Sequence, residues 1–320
     1  MGVSSIRDLA VIEQSTLDDY ENEVLAVDAH HWLFRYSTVQ VRYRSESQYT
    51  TSDGTEVPNL LGLLRGLPTF WKAGVKPVFV FDGKPESLKA DEIADRRESK
   101  KEAKELMEEA RKQGDVEAAR RYKAQTQSLT PTVHETSREL LDLLGVPYVE
   151  ADGAGEGYAA RLAADDDSPV SAVYSGDYDS ILFGSPDTVR PRSGGDHERI
   201  QLQETLDDLG LTYEQLVDVA ILIGMDYNEG VRGIGPARGV KYVTGGRDAV
   251  EIVSDRDADS LTEERIETIR EIFQTPPTGE SLMMADVDGP DFSAAEEFLV
   301  DEWEIPRGTV QENFDRFPMF

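Results

Sequence analysis

The chain has 320 residues, enough for one large domain or two small ones, and 39% of them are hydrophobic, which is sufficient for a core. It carries 63 acidic residues against 33 basic ones, a net charge of −30, and it has no cysteine, which excludes disulfides and thiolate metal sites. No apolar stretch reaches the roughly 18 residues of a membrane span and the first residues lack an apolar signal core, so we expect a cytoplasmic protein without a membrane partner.

The acidic excess by itself argues against nucleic acid as a partner, because two polyanions repel each other. The acidic residues are nevertheless spread along the whole chain, a pattern that fits a halophilic protein adapted to molar salt. At 1 M salt the screening length falls to about 3 Å, so distant repulsion has little effect. The net charge therefore does not decide which partner binds.

Four short apolar runs have the composition of buried parallel strands and alternate with helical patterns. This alternation predicts an α/β fold with a central, mostly parallel sheet flanked by helices. Acidic residues stand where the runs stop being apolar, and open α/β sheets place their sites at the carboxyl ends of strands. The sequence therefore predicts a carboxylate-rich site at one sheet edge. The runs are 24–32, 76–85, 146–153 and 170–180.

The segment between the second and third runs has a different character. Residues 84–123 hold 12 basic and 11 acidic residues, a positive island relative to the rest of the chain. The pattern predicts a long helix ended by Gly114 and a shorter one capped by Asp115. Lys89 and Arg96 lie two turns apart on one face, where they could overhang the carboxylates and stabilise a scissile phosphate. The alternative is an exposed helix with internal ion pairs.

After residue 205 the pattern predicts a helix, a loop and a second helix, followed by small amphipathic helices. Two glycines in the loop GVRGIGPARGV permit a tight turn whose backbone N–H groups can hold a phosphate, and two arginines add charge. Most G-x-G sequences are ordinary turns, but this one lies between two helices, the form of a helix-hairpin-helix that grips duplex backbone. The residues concerned are Arg232, Gly233, Gly235 and Arg238.

Six carboxylates make up the candidate metal site. Any one of them alone is more often a turn or cap residue, but several that converge would repel one another unless divalent cations were bound. Mg²⁺ prefers such oxygen ligands, and two ions about 4 Å apart can activate water and stabilise the leaving oxygen in phosphodiester hydrolysis. The six are Asp28, Asp82, Glu156, Asp177, Asp179 and Asp226.

Taken together, the motifs resemble those of the archaeal-type flap endonucleases in the structure-specific 5′ nuclease superfamily. The matching stretches are VDAHHWLFR, KPVFVFDGKPESLKADEIADRR, LLGVPYVEADGAGEGYAA, SGDYDSILFGSP and LIGMDYNEGVRGIGPAR. The resemblance implies a PIN-like fold and a metal-dependent 5′ flap endonuclease and 5′-3′ exonuclease that acts on branched DNA in replication and repair. It also implies two Mg²⁺ ions on the six carboxylates, with Mn²⁺ as an alternative, and K⁺ at the hairpin.

The resemblance implies roles for further residues and regions. Lys89 and Arg96 would reach the scissile phosphate from a helical arch, Phe34 would stack on a base, and the 230–240 hairpin would hold downstream duplex. We expect a monomer associated with the nucleoid. The implied organisation is one nuclease domain over 1–320, with an N-terminal nuclease region 1–85, the arch 86–130, an internal nuclease region 131–220, a helix-hairpin-helix 221–260 and a C-terminal helical segment 261–320.

One position departs from the family pattern, which has two acidic residues, E-x-E, at the start of the helix after VPY. This chain has Ala154, Gly155 and Glu156 there, so one carboxylate is missing. Asp152 would replace it if the glycine-flanked loop bends. The loss keeps open an alternative function, a catalytically weak or inactive protein that binds DNA junctions.

Two weaker patterns remain. The end of the chain has part of a sliding-clamp motif, with Gln311, Phe314 and Phe317 but Pro318 in the final aromatic position, and it equally fits the last helix of the fold. DYDSIL loosely fits the loop of phosphatases that use an aspartate, here Asp177, as nucleophile. The phosphatase interpretation leaves the other carboxylates and the hairpin without a role.

Overall fold

The computed structural model describes residues 4–83, 90–192, 194–256, 261–282 and 289–318, and the side chains of these residues except 4, 5 and 90–98. Within these ranges the centre of the fold is one sheet. Its strands are β1 Ile12–Ser15, β2 Val24–Asp28, β3 Lys76–Phe81, β4 Tyr148–Glu150, β5 Val170–Tyr174, β6 Asp187–Pro191 and β7 His197–Gln201.

Helices surround this sheet, together with short 3₁₀ turns at Leu17–Tyr20, Glu46–Gln48 and Asp179–Ile181 and a π-helical turn at Phe298–Glu302. In the described ranges none of the helices is both long and apolar enough to cross a membrane. The helices are α1 Ser4–Arg7, α2 Ala29–Tyr43, α3 Pro58–Lys72, α4 Ala90–Gln113, α5 Val116–Gln125, α6 Pro131–Leu143, α7 Gly155–Ala164, α8 Leu202–Leu209, α9 Tyr213–Ile223, α10 Pro236–Thr244, α11 Ala249–Ser254, α12 Glu263–Gln274, α13 Phe292–Glu297 and α14 Arg307–Phe314.

The strand order is β1-β7-β6-β5-β2-β3-β4. The five strands from β6 to β4 run parallel, while β7 and β1 add an antiparallel edge. In β2 every residue is buried, as expected for a parallel strand covered by helices on both faces. The predicted α/β fold with a mostly parallel central sheet is confirmed.

Alternate residues of the central strands enter two cores, one on each face of the sheet. Ala26 and Val80 lie in the core shared with α7 and α9, whereas Leu25 and Phe79 lie in the core shared with α2, α3 and α6. The strands are thus fixed in register, with Asp28 at the end of β2 level with Val80 of β3. This register sets the carboxyl ends of the strands side by side.

The predicted break between the two helices of the basic segment is confirmed. Gly114 has a φ of +74°, a conformation that favours glycine, and it follows the last residue of α4. Asp115 caps α5, because its Oδ1 accepts a hydrogen bond from the backbone N–H of Ala118 at 2.9 Å.

Candidate active site

Asp28 is both the last residue of β2 and the N-cap of α2. Its Oδ1 accepts a hydrogen bond from the backbone N–H of His31 at 3.0 Å, and its Oδ2 accepts one from Ser175 Oγ at 3.2 Å. Burial raises the pKa of Asp28, and the charge of Asp82 adds to this effect against that of His31. The strand end and the helix start therefore hold this carboxylate in one orientation.

Asp82, directly after β3, holds the start of α7. Its Oδ1 accepts a hydrogen bond from the backbone N–H of Gly155 at 2.6 Å, and its Oδ2 lies 3.0 Å from His30 Nδ1. A side chain at Gly155 would not fit, since its Cβ would lie 2.8 Å from Asp82 Oδ1. The glycine therefore allows the next residue, Glu156, to approach the strand ends, where its Oε1 accepts a hydrogen bond from Ser180 Oγ at 2.8 Å.

Asp177 and Asp179 lie in the loop after β5. The backbone N–H of Asp177 donates to Ser175 Oγ at 3.2 Å, and Asp177 Oδ1 accepts from the backbone N–H of Tyr178 at 2.7 Å. Asp179 is buried and begins a 3₁₀ turn. Ser175 therefore links this loop to Asp28.

The electrostatics show that the carboxylates lie close together. The pKa of Glu156 is raised well above its usual range, first by burial and then by the charges of Asp177, Asp28 and Asp179. Asp28 in turn feels the charge of Asp82. The structure thus brings five of the six predicted carboxylates to one edge of the sheet.

This set of donors fits a hard divalent cation, because the groups are carboxylate oxygens whose mutual repulsion a cation would relieve. In the described part of the chain no three His, Asp or Glu side chains are arranged to hold one metal ion as they stand. Their assignment as metal ligands therefore remains a prediction.

Two predicted residues are placed differently. Asp226 is half-buried in the turn after α9, where Met225 and Asn228 form an isolated backbone bridge, and its role as a ligand remains a prediction. Asp152 is exposed, and its Oδ2 accepts a hydrogen bond from Thr278 Oγ1 at 2.5 Å. Its predicted role as a replacement for the missing carboxylate remains a prediction.

Two residues predicted to contact DNA, Lys89 and Arg96, belong to the predicted arch. Lys89 lies outside the described residues, and Arg96 belongs to α4 but its side chain lies outside them. Phe34 on α2 is 38% exposed, six residues after Asp28. At about 1.5 Å per residue it stands roughly 9 Å along the helix from the carboxylates, with an accessible aromatic face.

The predicted hairpin lies between α9 and α10. Gly233 has a φ of +81°, and its carbonyl accepts a hydrogen bond from Arg238 Nη1 at 2.7 Å. Gly235 is the N-cap of α10, and an open cavity of about 420 Å³ is lined by residues 233–238. Arg232 and Arg238 are both exposed. The structure thus has the two helices, the tight turn and the exposed arginines that the sequence predicts.

Several polar residues of this site were not identified from the sequence. They are the residues that hold the carboxylates rather than the carboxylates themselves. A signal was present, since two histidines lie two and three residues after Asp28 and serines flank the D-x-D stretch, but a serine or histidine alone indicates no partner. These residues are His30, His31, Ser175, Ser180 and Arg190.

Comparison with known proteins agrees with this site. The XPG N-terminal domain profile matches residues 1–103, and the XPG I-region profile matches residues 145–226. Flap endonuclease 1 of Haloquadratum walsbyi is 44% identical over 317 residues, which cover 99% of this chain and 96% of that protein. The chain belongs to the flap endonuclease family. The corresponding protein of Halobacterium salinarum is 43% identical with the same coverage, and relatives from halophiles fit the acidic composition.

Solved structures of flap endonuclease relatives show the same fold. Flap endonuclease-1 from Methanococcus jannaschii superposes with a TM-score of 0.73 at 32% identity, covering 97% of this chain and 96% of that chain. The catalytic core of Rad2 in complex with DNA substrate, 21% identical, has a TM-score of 0.71 and covers 98% and 99%. The predicted family, PIN-like fold and nuclease class are confirmed. Nucleases of this family depend on divalent metal ions.

Proposed function

We propose that this flap endonuclease relative hydrolyses a phosphodiester bond near the junction of 5′-flapped or branched DNA, in replication and repair. The observation that carries the proposal is the convergence of carboxylates from separate strand ends, which raises the pKa of Glu156. The family relationship and the solved structure of Rad2 with DNA substrate support DNA as the substrate.

Each residue of the site has a proposed part in this reaction. Two Mg²⁺ or Mn²⁺ ions, when bound, would activate water and stabilise the leaving oxygen. Asp28, Asp82, Glu156, Asp177, Asp179 and Asp226 would hold them. Hydrogen bonds from backbone N–H groups and serines keep Asp28, Asp82 and Glu156 in place before any ion binds, so little ordering is needed on binding.

The DNA would be held by elements outside the carboxylate cluster. Phe34 offers a face for stacking on a base, and Lys89 and Arg96, from an arch over residues 86–130, would stabilise charge on the scissile phosphate. Arg232, Arg238 and the backbone around Gly233 and Gly235 would bind the downstream duplex, with K⁺ as a further ligand of the 221–260 hairpin. We propose that the remaining regions, 1–85, 131–220 and 261–320, form one nuclease domain with these two elements, acting as a monomer.

A sliding clamp is the least supported partner. Phe317 is buried, with its ring 5.1 Å from that of Trp71 and 5.4 Å from that of Phe292, and Phe314 lies 5.0 Å from Phe292. Clamp motifs insert such aromatics into the partner, so binding would require these rings to leave the core. The geometry therefore favours Phe314 and Phe317 as part of the fold.

The test compares two aspartates with the same substitution. Asp179→Ala should lower cleavage of an end-labelled 5′-flap duplex by more than about 100-fold in Mg²⁺ or Mn²⁺, while flap binding is retained. Asp152→Ala, at an exposed position, should cut like the wild type if Asp152 does not replace the missing carboxylate. An Asp179→Ala variant that cuts at the normal rate would refute the site. Loss of cleavage in Asp152→Ala would identify Asp152 as the replacement ligand.

A second candidate function is junction binding with weak or no catalysis. The observation that favours it concerns Ala154. This residue is the N-cap of α7, but its side chain makes no capping hydrogen bond, and it packs against the core at the position where the family pattern has a carboxylate. In the same assay, flap binding without cleavage by the wild type, in both metals and at low and molar KCl, would favour this function. A metal-dependent cut near the junction would exclude it.

A further inference from the structure

The side chain of Arg190, on β6, contacts the loop after β5 that carries Asp177 and Asp179. Its Nε donates a hydrogen bond to the backbone carbonyl of Gly176 at 2.9 Å, and its Nη1 donates one to the hydroxyl of Tyr178 at 2.7 Å. Its guanidinium carbon also lies 3.8 Å from the centre of the Tyr178 ring. One side chain therefore contacts the residues on both sides of Asp177.

His31 packs against the same loop. A Cβ added at Gly176 would lie 1.9 Å from His31 Nε2, so the imidazole packs directly against the backbone there. His31 belongs to α2, the helix that Asp28 caps. The loop thus contacts both a ring of the Asp28 helix and the guanidinium of Arg190.

The charge of Arg190 is already neutralised within the protein. Nη1 lies 2.6 Å from Glu198 Oε2, and the two side chains are only 15% and 11% exposed. Glu198 is also 3.3 Å from Arg192. A paired, largely buried guanidinium is poorly suited to bind a phosphate, but its planar fork can satisfy several acceptors in fixed directions.

We infer that Arg190 is a positioning residue, which fixes the 175–179 loop so that Asp177 and Asp179 face Glu156 and Asp28. The inference rests on the proposed metal site. Without the Arg190 guanidinium the loop loses its contacts at Gly176 and Tyr178. The carboxylates of Asp177 and Asp179 are then no longer fixed relative to those of Glu156 and Asp28. Loss of such supporting contacts typically weakens metal binding by about 10- to 100-fold. The effect should appear in metal affinity, with little change in the rate at saturating metal.

Arg199 on β7 provides a matched control. It also pairs with a carboxylate, since its Nη2 lies 2.6 Å from Asp187 Oδ2, and it also lies over a tyrosine ring, 5.9 Å from the centre of Tyr20. These contacts are with Asp187 and Tyr20 rather than with the 175–179 loop. Arg199→Met therefore removes the same kind of interaction from the neighbouring strand.

The experiment measures Mn²⁺ binding to the full chain by calorimetry, together with flap cleavage as a function of Mn²⁺ concentration. Arg190→Met should raise the Mn²⁺ Kd by about 10- to 100-fold and shift the half-saturation of cleavage equally, with the saturated rate changed only a few-fold. Arg190→Lys should give an intermediate Kd, because lysine lacks the fork. Arg199→Met should bind Mn²⁺ like the wild type.

Equal Mn²⁺ affinities for Arg190→Met, Arg199→Met and wild type would refute the inference, as would a loss confined to the saturated cleavage rate. Should Arg190→Met fail to fold, Arg190→Lys against Arg199→Lys gives the same comparison. A wild-type protein that binds no Mn²⁺ would refute the proposed metal site instead, so the two failures are distinguishable.

Discussion

At Glu156 the stability of the fold and the proposed metal-dependent chemistry favour opposite arrangements of charge. Its carboxylate is surrounded by Asp28, Asp177 and Asp179, and the Ser180 hydroxyl is the neighbour that stabilises its charged form. A fold selected for stability alone would not gather these charges. Protonation of Glu156 or a bound cation would relieve this repulsion, so cation binding would be linked to the stability of this sheet edge.

Glu156→Gln should therefore stabilise the metal-free protein in a pH-dependent way. The pKa of Glu156 is raised in the folded state, so its destabilising effect is absent below the ordinary pKa of about 4.3 and grows as pH rises toward the raised value. In EDTA at about pH 8 the variant should melt roughly 1–3 °C above wild type, and the gain should vanish near pH 4. Thermal unfolding monitored by circular dichroism measures this.

Millimolar Mn²⁺ should reverse the order of the two melting temperatures, because it should stabilise the wild type more than the variant. The exposed Glu312 offers a control, and Glu312→Gln should change neither curve. A Glu156→Gln variant less stable than wild type in EDTA would show that the favourable interactions of the charged carboxylate outweigh the repulsion.

At the scale of elements, one buried lysine attaches α5 to the loop between α2 and α3. Lys123 of α5 is buried, and its Nζ lies 2.6 Å from Glu56 Oε1 and 2.9 Å from Glu46 Oε1, residues of the loop after α2. Burial lowers the pKa of Lys123, but the hydrogen bonds to Glu56 and Glu46 outweigh it and raise the pKa overall. The C-terminal part of α5 is therefore fixed by a charged contact.

Lys123→Met should loosen this attachment, because Glu56 and Glu46 each lose the ion pair with Lys123 and only Arg111 still pairs with Glu46. The free energy of unfolding in urea should fall by about 2–3 kcal/mol, and amide exchange should accelerate over 116–125. Arg111→Met is the control, since Arg111 contacts the same Glu46 at 2.7 Å but is half-exposed, and it should cost under about 1 kcal/mol. Equal losses for the two variants would contradict a special role for Lys123.

The elements also show what the sequence can and cannot predict. Four of the five parallel strands, β2 to β5, were predictable because helices cover both faces, which makes each a short apolar run, whereas the parallel strand β6, DTVRP, has no such run and was not predicted. The Gly114 break was predictable because it is local. The antiparallel edge was not, since β1 is IEQS and β7 is HERIQ, polar strands without an apolar run. The contacts of Arg190 with Gly176 and of Asp152 with Thr278 depend on tertiary packing between distant segments, which no local pattern specifies.

The whole molecule carries 63 acidic residues against 33 basic ones, yet its proposed partner is a polyanion. Few positive charges are assigned to phosphate contacts: Lys89, Arg96, Arg232 and Arg238. With these four contacts, we predict that binding depends on stacking, backbone N–H groups and metal ions more than on release of counterions from DNA. Such a mode of binding is suited to high salt, where counterion release contributes little.

The salt dependence of flap binding tests this view. Each neutralised phosphate contributes about −0.9 to the slope of log K against log salt, so four contacts predict a slope no steeper than about −4. The Asp179→Ala variant, which should bind without cutting, allows the measurement by fluorescence anisotropy from low to molar KCl. Replacing both Arg232 and Arg238 by Ala should make the slope shallower by about 2. A slope near −10 would mean that many more lysine and arginine side chains contact the DNA, and that the acidic protein has a basic face.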